Sequence, residues 1–360
     1  MRILHFIPNL SGGGAERQLS YLAPELARMG HDVHLAYSKE GPDKPELPGV
    51  VLHQLKLRSN YDPYLLLQLV RLIRRIKPDI IHTWILQMDI LGGIAARLNR
   101  IPWIFREPNS AMAYSMTWKH RLRVRVGSGA SAIVSNSQGG DEYWKTQLPY
   151  SHRYVVPNAV PMDEIDTVNQ KTLLEYGITS DKKVVLYAGR FVEQKNIRNM
   201  VKAMLQITED TKIVAFLCGE GSLLTEVKQD LRQANAVNRI FLPGYVGDIW
   251  GMMKRADVFV SLSHFEGRPN AVIEAMACGT PLVVSDIPEH REFLNEQSAV
   301  FVNWHEPADI ETAIKDCLVK PETARQRAEV AKNITAKWSM QNIAQLYVQM
   351  YRDVLAVRGC

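Results

Sequence analysis

At 360 residues the chain is too long for one ordinary hydrophobic core, which predicts two domains of ordinary size. Its composition, 46% hydrophobic and 22% charged, is that of a globular protein, and the lack of any apolar run near the ~18 residues of a membrane helix excludes a spanning segment. The formal charge of +5 conceals a split: residues 1–160 hold 20 Lys and Arg against 12 Asp and Glu, and the rest hold 23 against 26, so the first half suits an anionic partner. The N-terminal MRILHFIPNL meets Gly-rich sequence at once and lacks the apolar length and cleavage site of a signal peptide, so it reads as a first strand. Cys218, Cys278, Cys317 and Cys360 show no paired metal-ligand spacing and read as free thiols of a reducing cytoplasm.

In chain order, the first half alternates β-rich runs with helical patterns. RILHFI, DVHLAYS, VVLHQL, DIIHTW, IPWIFR, SAIVSNS and RYVVPN are its predicted strands. ERQLSYLAPELARMG reads as a helix closing on a glycine, with a kink predicted at Pro24, and YLLLQLVRLIRRIK as a second helix stopped before Pro78. VPNAVPMDEID reads as a connector. The alternation then restarts with the strands KKVVLYAGR, KIVAFLCGEG, RIFLPGYV, ADVFVSLS, TPLVVSD and AVFVN. IEAMAC and IAQLYVQMYRDVLAV are predicted helices. This alternation predicts βαβ units, hence an α/β protein of two Rossmann-like domains facing each other across a cleft.

Ligands of parallel sheets gather at the carboxyl ends of the strands. Three features of the second half fall there: Arg190 and Lys195 in GRFVEQKN, the glycine turn GEGSLL, and HFEGRPNAVIE. Each follows a predicted strand and precedes a predicted helix, where backbone amides and the positive helix end suit phosphate. Glu266 and Glu274 stand eight positions apart, a spacing that chance alone supplies about once among 21 glutamates, so context must decide its meaning. Pro269 favours a helix start, which leaves Glu266 on the loop and Glu274 about one turn into the helix. Both then reach one ligand over the helix N-terminus, with the amides of Arg268 to Ala271 facing its phosphates. A carboxylate there accepts hydrogen bonds from sugar hydroxyls, so the pair suits a nucleotide with a ribose at one end and a hexose at the other. Taken singly, Glu266 reads as a solvated loop charge, Arg190 and Lys195 as surface cations, and the glycines as turn residues. Their convergence on one sheet edge outweighs those readings.

AGRFVEQKN, GEG and SHFEGRPNAVIEAMACGTPLVVSD resemble the C-terminal domain of the retaining family-4 glycosyltransferases (glycosyl transferases group 1), which have the GT-B fold and an E-x7-E motif. IPNLSGGGAERQLSYLAPELARMGHDV resembles their glycine loop and first helix, so the likeness spans nearly the whole chain. The resemblance implies that Arg190 and Lys195 bind the donor diphosphate and neutralise the leaving group. It implies that Glu266 holds hydroxyls of the transferred sugar and Glu274 the ribose. Gly189 and the stretch Gly267, Arg268, Pro269 and Asn270 would line the donor, and Gly12, Gly13 and Gly14 would approach the diphosphate from the other domain. No D-x-D occurs in the chain, so a metal-independent enzyme without a cofactor is expected, with a nucleoside-diphosphate sugar as donor and a UDP-sugar favoured.

One departure concerns the N-terminal half. Many family members carry a histidine after the strand equivalent to IPWIF, whereas this chain reads REPNS, with Pro108 in that place. Either Glu107 or Asn109 takes over the contact, or His82 or His120 supplies it, although His82 reads more naturally as an ordinary histidine. The segment MTWKHRLRVRVGSG interleaves Lys119, Arg121, Arg123 and Arg125 with Trp118 and aliphatic residues. It reads equally as a peripheral membrane contact and as an exposed element of a basic domain, and its alternation suits a strand as well as a helix. Trp118 and Arg121 join Glu107 and Asn109 as acceptor-side candidates. No nucleic-acid motif accompanies the charge.

The expected organisation is an acceptor-binding domain over 1–160, a nucleotide-sugar-binding domain over 161–340, and a C-terminal helix over 341–360 packing back toward the first. The expected activity is transfer of a hexose to a glycan or lipid-linked acceptor in envelope or exopolysaccharide synthesis, in the cytoplasm at the inner face of the plasma membrane. The rivals are a sugar-nucleotide epimerase on the same fold and a non-catalytic sugar-nucleotide-binding protein.

Overall fold

A computed structural model of the chain describes residues 1–10, 13–40, 45–56, 63–109 and 117–357. Gly12 and Cys360 lie outside the described residues, as do Ser110 and Met116 of the two segments quoted above. The chain divides into two units, Met1–Ala159 with Trp338–Cys360, and Val160–Lys337.

The first unit is built on β1 (Arg2–Phe6), β2 (Asp32–Tyr37), β3 (Val50–Gln54), β4 (Ile80–Trp84), β5 (Trp103–Glu107), β6 (Ala132–Ser135) and β7 (Arg153–Val155). All pairs are parallel, in the order β3-β2-β1-β4-β5-β6-β7. β4 and β5 are buried along their whole length, as expected of parallel strands covered by helices on both faces. The helix Gly14–Arg28 starts directly after the glycine loop and continues through Pro24, so the proline does not end it. The helix Pro63–Ile76 stops ahead of Pro78, where Lys77 turns to a positive φ of 51°. The helix Met340–Ala356 belongs to this unit, and its Tyr351 hydroxyl lies 2.7 Å from His82 Nδ1 in the buried middle of β4.

The basic segment after β5 is a helix, Trp118–Gly127, capped by the Thr117 side chain, and not a strand. It also divides its cations in a way that alternation did not predict. Trp118, Arg121 and Arg125 are exposed, but Arg123 is 2% exposed and sits between Asp89 (2.8 Å) and Glu107 (2.7 Å). Thr83 Oγ1 donates to the same Asp89 at 2.7 Å, and Trp144 Nε1 donates to Glu107 at 2.9 Å. Burial pushes the Asp89 carboxyl up to about 6, against the pull of Arg123 and the Thr83 hydrogen bond. One guanidinium thus compensates two buried carboxylates on β5 and on the helix Leu86–Leu98.

The second unit carries β8 (Lys183–Ala188), β9 (Ile213–Cys218), β10 (Ile240–Gly244), β11 (Val258–Ser261), β12 (Leu282–Ser285) and β13 (Val300–Val302). These are again parallel, ordered β10-β9-β8-β11-β12-β13. The order reverses between β8 and β11, and the loops leaving these neighbouring strands both emerge at the carboxyl edge of the sheet. The loops there are knitted together. Phe191 N–H donates to the Glu220 carbonyl at 2.7 Å, Leu223 N–H to the Phe191 carbonyl at 2.9 Å, and His264 N–H to the Gln194 carbonyl at 2.9 Å. Gly219 makes the first of these approaches feasible: its φ is +135°, and a Cβ on it would lie 1.9 Å from the Gly189 carbonyl oxygen.

Two stability predictions follow from this packing. Arg123→Ala leaves two buried carboxylates without their cation and should destabilise the first unit by about 3–5 kcal/mol, read from urea unfolding. Gly219→Ala forces a strained backbone and a main-chain clash, and should cost about 2–3 kcal/mol with a lower melting temperature. Wild-type unfolding in either variant would contradict the corresponding contact.

Candidate functional site

Within the second unit, Lys195 ends a short 3-10 turn, Glu193–Lys195, in the loop after β8. Glu266 lies in the loop after β11, on the neighbouring strand. The Lys195 ammonium and the Glu266 carboxylate are in direct contact. The contact is sheltered, with the side chains 18% and 8% exposed. Ser263 Oγ also donates to the carboxylate at 2.5 Å. Burial pushes the Glu266 carboxyl up, but Lys195, as charge and as hydrogen-bond donor, outweighs it with help from Ser263 and holds it below its usual range.

Neither glutamate of the spaced pair is a surface charge. Glu266 is 6% and Glu274 4% exposed, and glutamates are so buried almost only where something compensates them. The helix spans Asn270–Ala277, with Pro269 at its N-cap and not its first helical position, which makes Glu274 the fifth helical residue. The Glu274 charge reaches Cys278 at the helix end, whose thiol burial and this carboxylate together push up to about 12.

Arg190 is exposed in the loop after β8, and its guanidinium makes no hydrogen bond or ion pair among the described residues. Its carbonyl accepts from the Tyr187 hydroxyl at 2.9 Å. Burial and the Glu266 charge raise the Tyr187 phenol, and Arg190 lowers it, so all three share one electrostatic neighbourhood. Gly189 lies beneath them, with no room for a side chain, since a Cβ would meet the Tyr187 hydroxyl at 2.7 Å. Gly267 and Pro269 are buried and Asn270 half-buried. Arg268 does not present its side chain as a surface cation. It is 7% exposed, 3.5 Å from Glu292 and 4.9 Å over the Phe293 ring, and burial lowers it to about 10. Only its backbone is left for the contact expected of it.

The acceptor-side candidates of the first unit separate. Glu107 is fully buried, with one oxygen on Arg123 and Trp144 and the other accepting the Asn109 N–H at 2.8 Å, so both of its oxygens have partners within the protein. Pro108 and Asn109 are half-buried. Trp118 is 64% exposed with Lys119 over its ring at 5.8 Å, and Arg121 is exposed beside it. His82 is fully buried, and burial holds it far below the usual histidine range, with His5 and Arg106 adding to the effect. His120 is 1% exposed against Tyr143. Both histidines are buried. Gly13 is the N-cap of the first helix and Gly14 its first residue, with the Glu16 carboxylate folded back over Gly13.

The sequence reading missed the residues that tie the site loops together. Gln194 Nε2 donates to the Phe265 carbonyl at 2.9 Å, Asn196 Nδ2 to the Trp304 carbonyl at 2.6 Å, and Trp304 Nε1 to His264 Nδ1 at 2.9 Å. Ser263 was legible in principle, since a hydroxyl three residues before a buried carboxylate is a local donor.

Residues 12–164 match the profile Glycosyltransferase Family 4, and residues 169–334 match Glycosyl transferases group 1. The UDP-Gal:alpha-D-GlcNAc-diphosphoundecaprenol alpha-1,3-galactosyltransferase of Escherichia coli is 29% identical over 238 residues, covering 62% of this chain and 61% of that protein. The chain thus spans about three fifths of this relative's length. The N-acetylgalactosamine-N,N'-diacetylbacillosaminyl-diphospho-undecaprenol 4-alpha-N-acetylgalactosaminyltransferase of Campylobacter jejuni is 24% identical, over 78% of this chain and 80% of its own. The crystal structure of Anabaena Alr3699/HepE in complex with UDP and glucose superposes with a TM-score of 0.85 over 98% of this chain and 100% of that one, at 18% identity, a likeness of fold. Two family profiles divide nearly the whole chain between them, each on a parallel sheet wound as the fold requires, and the chain belongs to the family-4 glycosyltransferases (glycosyl transferases group 1) of GT-B fold.

Proposed function

We propose that the protein is a retaining, metal-independent hexosyltransferase that takes its sugar from a nucleoside diphosphate, UDP first among the candidates, and delivers it to a glycan or lipid-linked acceptor. The observation that carries this reading is the sheltered Lys195–Glu266 pair at the carboxyl ends of β8 and β11, with the exposed Arg190 guanidinium on the loop that carries Lys195. The names of the relatives support the donor and acceptor classes. Two of them act on sugars linked through diphosphate to undecaprenol, and the superposed HepE structure holds UDP and glucose.

In this reading the diphosphate settles against Arg190 and Lys195. Lys195 exchanges its carboxylate partner for phosphate, and Glu266, freed of its cation, accepts hydrogen bonds from the sugar hydroxyls. Glu274 holds the ribose. The bond from the anomeric carbon to the diphosphate breaks, the acceptor oxygen bonds to that carbon on the same face, and a diphosphate oxygen takes the acceptor's proton. The two cations stabilise the charge that builds on the leaving group, and in a water-poor site that stabilisation is worth several kcal/mol. Among the described residues no helix is long and apolar enough to cross a membrane, so contact with a lipid-linked acceptor would be peripheral, with Trp118 and Arg121 as the exposed aromatic and cation for it.

Thermal melting against UDP-, GDP-, ADP- and dTDP-sugars tests the reading without knowledge of the acceptor. One nucleotide class should raise stability, by about 2.7 kcal/mol at a hundred times its Kd, with and without EDTA. A flat response to every nucleotide would remove the donor site. With the donor in hand, Lys195→Ala should cut kcat by about a hundredfold or more, and Glu274→Ala should mainly weaken donor binding. Wild-type kinetics in either variant would contradict the role given to that residue.

A further inference from the structure

Three buried polar side chains stand in series behind Glu266. Ser263 Oγ donates to the carboxylate at 2.5 Å, Ser285 Oγ donates to the Ser263 carbonyl at 2.7 Å, and His290 Nδ1 lies 2.8 Å from the Ser285 carbonyl. Ser263 is 1% exposed, and Ser285 and His290 are fully buried. Ser285 ends β12, and His290 sits in the short helix Pro288–Arg291 that follows.

The chemistry gives this series a direction. A carbonyl oxygen only accepts, so His290 Nδ1 carries the proton and donates it to Ser285. The tautomer is thereby chosen, and Nε2 is left as a bare lone pair, buried and without a partner among the described residues. Burial lowers the His290 imidazole's affinity for a second proton, the Ser285 carbonyl and Glu266 raise it, and Lys195 lowers it, with a net fall. The ring therefore stays neutral in its role as a donor. Ser285 in turn fixes the main chain of Ser263, and Ser263 fixes the carboxylate.

We propose that His290, acting through Ser285 and Ser263, is a positioning residue for Glu266. The inference rests on the reading of Glu266 as the residue that meets the transferred sugar. Before a donor binds, Lys195 and the Ser263 hydroxyl share one oxygen of the carboxylate. Once phosphate draws Lys195 away, the Ser263 hydroxyl is the remaining contact on that oxygen, and what secures Ser263 secures the sugar-binding carboxylate. A misplacement of about 1 Å at such a group is enough to cost on the order of a hundredfold in rate.

The test is a set of substitutions whose chemistry differs at single atoms. Ser285→Ala removes the bridge to Ser263. His290→Asn keeps an N–H donor near the Nδ1 position, whereas His290→Gln moves it to the other nitrogen. Turnover of each sugar nucleotide in the melting panel is measured for these variants, for Glu266→Gln, and for Ser285→Ala in the Glu266→Gln background, and a crystal structure is determined for each single variant. Ser285→Ala and His290→Gln should lower kcat about tenfold with the donor KM within about twofold, and His290→Asn should recover most of the loss. Their crystal structures should show Glu266 displaced from Lys195 in the first two and in place in the third. Ser285→Ala should cost nothing further once Glu266 is Gln, because the two act through one group.

Equal losses from Ser285→Ala in both backgrounds, or from Asn and Gln at position 290, would mark the series as structural only and overturn the proposal. Wild-type turnover in Glu266→Gln would overturn the site reading itself. A full defect in Glu266→Gln beside normal Ser285→Ala and His290→Gln would overturn the positioning role alone. If no sugar nucleotide turns over, the crystal structures decide, and a carboxylate unmoved in Ser285→Ala and His290→Gln refutes the inference.

Discussion

All strands of the second unit run parallel, and this constraint places its chemistry. Each strand leaves the sheet at the same edge, so every loop from a strand to its following helix emerges there, whatever its position in the chain. Lys195 and Glu266 are 71 positions apart, yet β8 and β11 are adjacent and their loops meet. The glycine turn after β9 packs on the loop after β8, and the end of β12 supplies Ser285 from behind. A residue's distance from the site is set by strand order and not by sequence separation.

Both units handle buried charge in the same way. A carboxylate loses several kcal/mol of hydration on burial, and the loss is offset only by a cation and well-placed donors. In the first unit Arg123 compensates Asp89 and Glu107 in a network completed by Thr83 and Trp144, and nothing of it is open to solvent. In the second unit the Lys195–Glu266 pair is sheltered but not sealed, and Arg190 stands exposed on the same loop. The first arrangement is closed on itself and holds a fold. The second leaves the Lys195 ammonium partly open to solvent.

The strands were legible because parallel strands covered on both faces are continuous apolar runs, and VVLYA, IVAFLC and VFVS are such runs. The E-x7-E segment was legible because Pro269 sets where its helix begins, which divides one glutamate from the other by type of structure. The segment from Trp118 to Val126 was not legible in the same way. Its alternating cations look alike in sequence, and only the proximity of Asp89 and Glu107, 34 and 16 positions away, selects Arg123 for burial. His290 escaped notice for a related reason, since its partner is a main-chain carbonyl that no residue pattern announces.

Local chemistry was therefore enough to determine the alternation of strands and helices, the glycine turns and the winding of two parallel sheets. These depend on apolar periodicity and on backbone conformations that a few neighbouring residues dictate. The tertiary structure alone decided which charges are paired: Lys195 with Glu266, Arg123 with Asp89 and Glu107, Arg268 with Glu292. Charge pairing is a matter of distance and dielectric, and both are properties of how strands are ordered and covered, which a linear sequence of residues does not contain.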